Sequence, residues 1–384
     1  MRQTRVDFRS RIGLDGFLSN VKIRAGTTTY EHDELEGDEI GTHFENDSWE
    51  ARIEAVHRQI GPFNGAFGAQ LSRRDFLAVG EEAFVPPNET DMEALFLFEE
   101  MERGDWSFQL GGRWEQQDVS TSAGELPDRS FSGLSASAGA LWKTDGAPWA
   151  IALSLARTER LPTAEELYSN GPHAATSSFE IGDPFLNEET ALSGDVTFRA
   201  TTDRLRGELT FFRTDFSDFV FLQPTGTEQD ELPVLVYRQE DASFHGIEFL
   251  GHYDAWHLDP HHIEIEFGGD WVQGELDRGG DLPRIAPMRL FTALLYEAER
   301  LFGRIEARHV FDQEDVAEFE EETDGYTMLN ASLGYRFLLG ETSHLVMLRG
   351  RNLTDELARS HVSPLKDVAP LPGRDLSVAY RVIF

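Results

Sequence analysis

The sequence contains no cysteine, and that absence removes disulfide frameworks, thiolate metal sites and cysteine nucleophiles together. Zinc or iron would have to be held by histidine and carboxylate. Long apolar runs are missing too. None approaches the roughly 18 residues that a membrane helix needs, and Met1-Arg2-Gln3-Thr4-Arg5 opens no charged-then-apolar signal segment. A helical membrane protein is excluded, but a membrane β-barrel is not, because only every second residue of its strands meets lipid. Basic charge is scarce: 34 Lys and Arg stand against 69 Asp and Glu, a formal net charge of −35. So acidic a surface repels phosphate backbones, which excludes nucleic acid as a partner while leaving cations attractive. Enzyme signatures are also lacking: there is no Gly-x-Ser-x-Gly elbow, no phosphate-binding P-loop and no His-Glu-x-x-His zinc helix.

What is present is a period of two. The length of 384 residues exceeds one ordinary core of about 250–300, leaving two domains or a closed β architecture. Along Ile263 to Trp271 the odd positions are apolar or small while Glu264, Glu266 and Asp270 occupy even ones. From Tyr326 to Phe337, Leu329, Ala331, Leu333, Tyr335 and Phe337 share one face opposite Asn330, Ser332, Gly334 and Arg336. Trp106–Trp114, Trp149–Leu155, Thr4–Leu14, Trp49–Ile60, Glu93–Glu102, Leu134–Trp142, Glu208–Phe221 and Leu376–Phe384 follow the same pattern. These strands exceed the ~5–6 residues of an average globular strand and suit a tilted bilayer-spanning strand of ~9–11 residues with overhang.

The connections alternate in length. Short ones fall near Asp15-Gly16, Gly61-Pro62, Gly104, Gly146, Thr202-Asp203, His257–Pro260, Arg300–Gly303 and Gly340. Long ones fall near His32–Phe44, Ala78–Asn88, Val119–Arg129, Thr158–Glu188, Leu222–Leu232, Glu275–Arg284, Asp312–Asp324 and Thr354–Pro372. Tight turns at one rim and long loops at the other are the habit of outer-membrane barrels. Trp and Tyr near many strand ends suit interfacial girdles. The fold expected is therefore all-β, an antiparallel transmembrane barrel.

Three segments carry a family resemblance. The first runs from Arg157-Thr158-Glu159-Arg160-Leu161-Pro162-Thr163-Ala164-Glu165-Glu166-Leu167-Tyr168 through Asn170-Gly171-Pro172-His173 to Gly182-Asp183-Pro184-Phe185-Leu186-Asn187-Glu188-Glu189-Thr190. The second is Leu348-Arg349-Gly350-Arg351-Asn352-Leu353-Thr354-Asp355, and the third is the closing Pro372 to Phe384. In order and spacing they resemble TonB-dependent outer-membrane receptors. A shorter run, Asn170 to Pro184, is similar to the zinc-uptake branch of that family. The resemblance implies about 17 of an expected 22 barrel strands, since members carry a signal peptide, a TonB-contacting segment and a plug domain before a 22-stranded barrel. The chain then reads as the C-terminal part of such a receptor, with residues 1–384 all barrel and the plug domain absent. It also implies no permanently bound cofactor, a transported zinc ion or iron complex, and an outer-membrane location among lipid and lipopolysaccharide. The implied partners are the TonB machinery and the barrel insertion machinery, the latter reading Tyr380 and the terminal Phe384. Within the family an iron-siderophore or haem receptor is the alternative; outside it, a porin-like barrel without energy coupling.

The chemistry-bearing clusters are acidic and histidine-bearing loops. His173, with Glu180 and Asp183 in the same loop, is the best single metal candidate. The run Glu31 to Glu39 contributes His32 and Asp33, joined by His43 and Glu45; a second acidic run spans Asp312 to Asp324, and His361 lies in the loop after it. Imidazole with carboxylate suits zinc and other borderline dications, and the dense negative field concentrates cations. Each run has a plainer reading as a solvated loop. The densest histidine cluster, His257 to His262, falls on a short turn, away from the capture rim. Inward-facing charges at Glu264, Glu266, Asp270, Arg304, Glu306, Arg308, Arg336 and Arg381 fit a polar lumen wall.

Overall fold

The computed structural model describes every residue except Asp38, and Glu36 by its backbone alone. Asp38 and the Glu36 side chain, both within the acidic run noted above, therefore lie outside the described residues. Among the described residues nineteen strands form one sheet. The first eight are β1 (Arg2–Gly13), β2 (Leu18–Glu36), β3 (Glu39–His57), β4 (Phe63–Gly80), β5 (Asn88–Arg103), β6 (Trp106–Thr121), β7 (Arg129–Trp142) and β8 (Trp149–Arg160). The long connection that follows holds a five-residue helix, α1 (Ala164–Tyr168), and two short strands, β9 (Asn170–His173) and β10 (Ser178–Ile181). The chain returns through β11 (Glu189–Thr201), β12 (Leu205–Gln229), β13 (Leu232–Leu258), β14 (His261–Leu276) and β15 (Arg289–Glu297). It ends with β16 (Leu301–Val310), β17 (Tyr326–Leu339), β18 (Thr342–Arg351) and β19 (Asp375–Ile383).

With β9 and β10 set aside as loop strands, seventeen strands make an antiparallel wall, as the sequence pattern implies. Each pairs with its neighbour in order, and β8 skips the loop strands to pair with β11. Among the described residues no pairing joins β1 to β19.

Register converts the period of two into two faces. Ile23 opposes Ile53, which opposes Ala69, then Leu95, Trp114 and Leu134 across five successive strand pairs. Further round, Leu153, Val196, Phe211, Ile247 and Trp271 align in the same way. Large side chains in these bands remain exposed, Ile53 at 49%, Leu95 at 57% and Leu134 at 60%. An apolar belt of that breadth facing outward needs lipid as its solvent. The opposite parity is polar. Lys22 bonds Glu54 at 2.7 Å, and Arg52 and Arg113 both donate to Gln70. Arg304 bridges Glu266 and Glu306, with Arg308 also on Glu306 at 3.4 Å. Of the charges that the sequence pattern turns inward, Glu264, Glu266, Asp270, Arg304, Glu306, Arg308 and Arg336 thus form an ion-paired lumen wall.

Two long connections take a different form from the sequence reading. His32–Phe44 and Leu222–Leu232 are not open loops: β2 and β3 keep pairing almost to their tip, and β12 and β13 run to 25 and 27 residues. At ~3.3 Å per residue such strands reach far beyond a ~30 Å hydrocarbon core. Backbone hydrogen bonding continues past the membrane because the partner strand continues too. At the short-turn rim Trp142 packs against Trp106 and Trp149, centroids 6.3 and 4.7 Å apart, an aromatic girdle segment.

Among the described residues, the two clusters of buried apolar side chains lie at the long-loop rim. Leu167, Val85, Val119, Phe131, Leu186 and Val220 form one buried cluster around α1. A second gathers Phe221, Ala242 and Leu282 beneath the loop after β14.

Candidate functional site

The loop between β8 and β11 is locked to the wall by charge and cap. Thr163 caps α1: its hydroxyl accepts from the Glu166 N–H, and the Glu166 carboxylate accepts from the Thr163 N–H at 2.8 Å, a capping box that satisfies two backbone donors of that turn reciprocally. Arg160 donates to Glu166 at 2.9 Å and to Glu189 at 3.1 Å, and Arg74 reaches Glu165 at 2.9 Å. Burial alone would lower the Arg160 pKa, but the bonds to Glu189 and Glu166 outweigh it and raise it, so this cation is permanent. Leu167 and Tyr168 insert into the apolar cluster, where the Tyr168 hydroxyl donates to the Pro127 carbonyl at 2.8 Å.

On this platform stands the β9/β10 hairpin. His173 opposes Ser178, so the diagonal neighbour Glu180 comes within reach of its ring. The His173 Nδ1–H donates to Glu180 Oε1 at 3.0 Å, since a carboxylate only accepts. Thr176 donates to the same oxygen at 2.7 Å, Ser178 lies at 3.4 Å, and the Tyr237 hydroxyl reaches Oε2 at 3.3 Å. β10 pairs parallel to β13, Glu180 beside Leu235, which delivers Tyr237 to the site. The imidazole stacks on Phe84 at 4.1 Å. Gly171 permits that approach, because a Cβ there would sit 2.9 Å from the Phe84 Cα.

The arrangement has a chemical meaning. Glu180 is buried and its oxygens are occupied, so it orients the ring and is no open ligand. A carboxylate that accepts the hydrogen bond from Nδ1–H fixes the tautomer with its lone pair on Nε2, which is how metal-ligating imidazoles are held. His173 keeps 29% of its side chain exposed, and Nε2 has no hydrogen-bond partner among the described residues.

The other residues singled out in the sequence are placed as follows. Asp183 does not join the site; its carboxylate accepts the Phe185 N–H at 2.8 Å and shapes the turn. Asp33, His43 and Glu45 do meet, His43 Nδ1 lying 2.6 Å from Asp33 and Nε2 3.2 Å from Glu45. Their parity is that of Ile23 and Ile53, so they project from the outer face of the β2/β3 hairpin and not into the mouth. The hydrogen bond His43 donates to Asp33, then that to Glu45, raises its pKa. His32 has the inner parity, stacks on Phe44 at 4.6 Å and lies 3.5 Å from Glu34. His361 is buried; its Nε2 lies 3.3 Å from Glu320 and its Nδ1 2.8 Å from Thr323, and Lys366 donates to the Glu321 carbonyl beside it. This cluster ties the acidic loop to the loop after β18. Tyr380 bonds His344 at 2.6 Å, and Phe384 is fully exposed.

Sequence reasoning missed Thr176, Ser178, Tyr237 and Phe84, which meet His173 only through hairpin register and the parallel pairing to β13. It also missed α1, although Thr163-Ala164-Glu165-Glu166 is a capping-box signature.

Acid should loosen this loop. Burial pushes the Glu180 carboxyl up, but bonds from His173, Thr176 and Tyr237 outweigh it and hold the group below its ordinary value near 4.5. Glu320, in the separate acidic loop after β16, behaves alike: burial raises it, and His361 with the Ala317 and Arg284 N–H groups outweighs burial and lowers it. A depressed folded pKa gives stability that is present above the unfolded value and lost as pH falls through the folded one. Hydrogen exchange of residues 161–188 should therefore be steadily protected above about pH 5 and lose protection on acidification below that, ahead of the wall strands. Equal loss in loop and wall would contradict this.

Comparison with known proteins agrees with this architecture. A family model described as TonB dependent receptor-like, beta-barrel, matches residues 3–353. Among solved structures, the copper transporter OprC superposes with a TM-score of 0.83 at 15% identity, covering 99% of this chain and 65% of that one. The FrpB iron transporter of Neisseria meningitidis (F3-3 variant) gives 0.76 at 14%, covering 99% and 63%. The ferric citrate transporter FecA, unliganded, gives 0.72 at 14%, covering 99% and 61%. The chain thus spans less than two thirds of the length of these structures, and at such identities they establish the fold. With that fold and a family match over nearly all of its length, the chain belongs to the TonB-dependent receptors, a family of transport receptors, as their β-barrel.

Proposed function

We propose that this chain forms the barrel wall and outer mouth of a receptor in the outer membrane of a Gram-negative cell, taking up a scarce metal with TonB-derived energy, and that the metal is zinc. The observation that carries the reading is the imidazole of His173, fixed by Glu180 with Nε2 open at the rim of long loops. Carboxylates crowd that rim, and their field raises the local concentration of cations before any coordination. The similar structures named above belong to proteins described as copper, iron and ferric citrate transporters, which favours metal as the class of cargo. Ferric citrate also supports the second reading, an iron complex taken up as an anion. The apolar belt would meet membrane lipid, the outward Asp33-His43-Glu45 cluster would meet lipopolysaccharide, and Tyr380 with Phe384 would present the closing strand to the insertion machinery. No permanent cofactor is required.

The test is calorimetric titration of detergent-solubilised protein with Zn²⁺, Cu²⁺ and ferric citrate, for wild type, His173→Ala and His361→Ala. His173→Ala should weaken zinc binding at the long-loop rim by more than the 10–100-fold typical of losing an outer-shell partner, and His361→Ala should leave it within a few-fold. Equal zinc affinity in wild type and His173→Ala would refute the assignment; binding of ferric citrate alone would move the cargo to iron.

A further inference from the structure

We propose that the lumen wall at the opposite, short-turn rim carries a second divalent-metal site, formed by Asp254, His262 and Glu264 with His252 and His257 beside them. It rests on its own geometry and does not depend on the cargo proposed above.

The sequence assembles it through a bulge. Across β13 and β14 Asp254 opposes Glu264, and the register then shifts so that Trp256 opposes Ile263 and His257 opposes His262. Strict alternation would put residues 254 and 257 on opposite faces; the extra residue, Ala255, brings both onto the lumen side while Trp256 stays outward. His252, two residues before Asp254, shares that side. The turn run of histidines is thereby divided: His261 bonds Tyr296 at 2.7 Å on the outer girdle, and His262 turns inward.

The donor atoms of Asp254, His262 and Glu264 all lie within 4.8 Å of one another. Ligands around a dication bound at about 2.0–2.2 Å stand roughly 3–4 Å apart, so these three close on one ion with shifts under about an ångström. His262 Nε2 lies 2.7 Å from Asp254, His252 Nδ1 lies 3.0 Å from Glu264, and the His257 and His262 rings are 5.4 Å apart. All four of His252, Asp254, His262 and Glu264 are half-buried.

Charge also favours a bound dication. Asp254 and Glu264 are like charges directly opposed across a strand pair, which is unfavourable. Arg206 compensates only one of them, reaching Glu264 at 2.8 Å. With neutral imidazoles the cluster keeps net negative charge plus open nitrogen lone pairs. A borderline dication such as Zn²⁺, Cu²⁺ or Ni²⁺ satisfies both, whereas Mg²⁺ or Ca²⁺ would leave the imidazoles unused. The competing account is a set of ion pairs made by protonated histidines. The site is also distinct from that of His173: Tyr237 and Asp254 lie on the same strand, β13, seventeen residues apart, roughly 55 Å at ~3.3 Å per residue.

The test uses tag-free protein in detergent, with Co²⁺ read by its visible absorption and Zn²⁺ by calorimetry. In a His173→Ala background one equivalent of Co²⁺ should still bind, and adding His262→Ala or the near-isosteric Asp254→Asn should weaken it at least tenfold. β-sheet circular dichroism and heat-dependent gel migration check folding, and Asp254→Asn carries the test where His262→Ala folds poorly. Complete loss of binding in His173→Ala alone, or unchanged binding in Asp254→Asn, overturns the proposal. Equal zinc binding in wild type and His173→Ala would instead remove the import reading and leave the rim site standing.

Discussion

Glu180→Ala should lower metal affinity at His173 by roughly 10–100-fold, although residue 180 touches no metal. The wild-type carboxylate is buried and collects hydrogen bonds from His173, Thr176 and Tyr237, with Ser178 at its edge. Without it the imidazole loses the acceptor that fixes its tautomer, and several donors are left to a cavity. A buried donor stripped of its partner costs about 1–3 kcal/mol; with part of the set regaining water, the loop should lose on the order of 2–4 kcal/mol. Glu180→Gln separates orientation from charge, because the amide oxygen can still accept from His173 and Thr176. It should recover most of the metal affinity, leaving it within a few-fold of wild type. Calorimetry gives the affinity and hydrogen exchange over residues 161–188 gives the loop stability. A melted loop with unchanged affinity would show that Glu180 orients nothing.

Leu95→Arg should cost roughly 2–4 kcal/mol of barrel stability, the range for a cation placed on the lipid face near the bilayer midplane. Leu95 sits near the middle of β5, 57% exposed, within the band that runs from Ile23 to Leu134. Its contrast is Gln109→Arg on β6, of lumen parity, where Gln109 already donates to Glu100 at 3.1 Å. There a guanidinium meets water and carboxylates, and the change should stay within about 0.5 kcal/mol. Folding into lipid vesicles, followed by denaturant titration of both variants, checks the pair. Equal costs at the two positions would mean that the two faces do not differ in solvent.

The wall was legible in the sequence because its logic is local. Each residue needs only its parity to know its solvent, so Ile263, Ile265 and Phe267 against Glu264 and Glu266 reveal the two faces, and turn and loop lengths reveal the two rims. The candidate site was legible only in part. His173 and Glu180 stand seven residues apart in one loop, and their chemistry is visible; their contact depends on a hairpin register that no periodicity announces. Tyr237 is a further fifty-odd residues away and arrives through a parallel pairing with β13. Asp183 looked equivalent to Glu180, yet one is consumed by a turn and the other by the ring. Asp33, His43 and Glu45 stand close together in the sequence and their side chains meet, but their outward direction follows from counting parity from Ile23 and Ile53 through a hairpin that reads as a loop. The bulge at Ala255, which brings Asp254 and His257 to one face, leaves no compositional trace.

Because the chain has no cysteine, each position can be labelled singly against a silent background. The most direct test of the two-faced wall is therefore to place one cysteine at a time along β3 to β7, at Ile53, Ala69, Leu95 and Leu134 on one parity and at Arg52, Gln70 and Gln109 on the other. Each variant is then treated in lipid vesicles with a water-soluble, membrane-impermeant maleimide. Labelling should be fast at Arg52, Gln70 and Gln109, and the other four should be protected until detergent solubilisation with denaturant removes that protection. Labelling that ignores parity, or protection of the polar series, would contradict it.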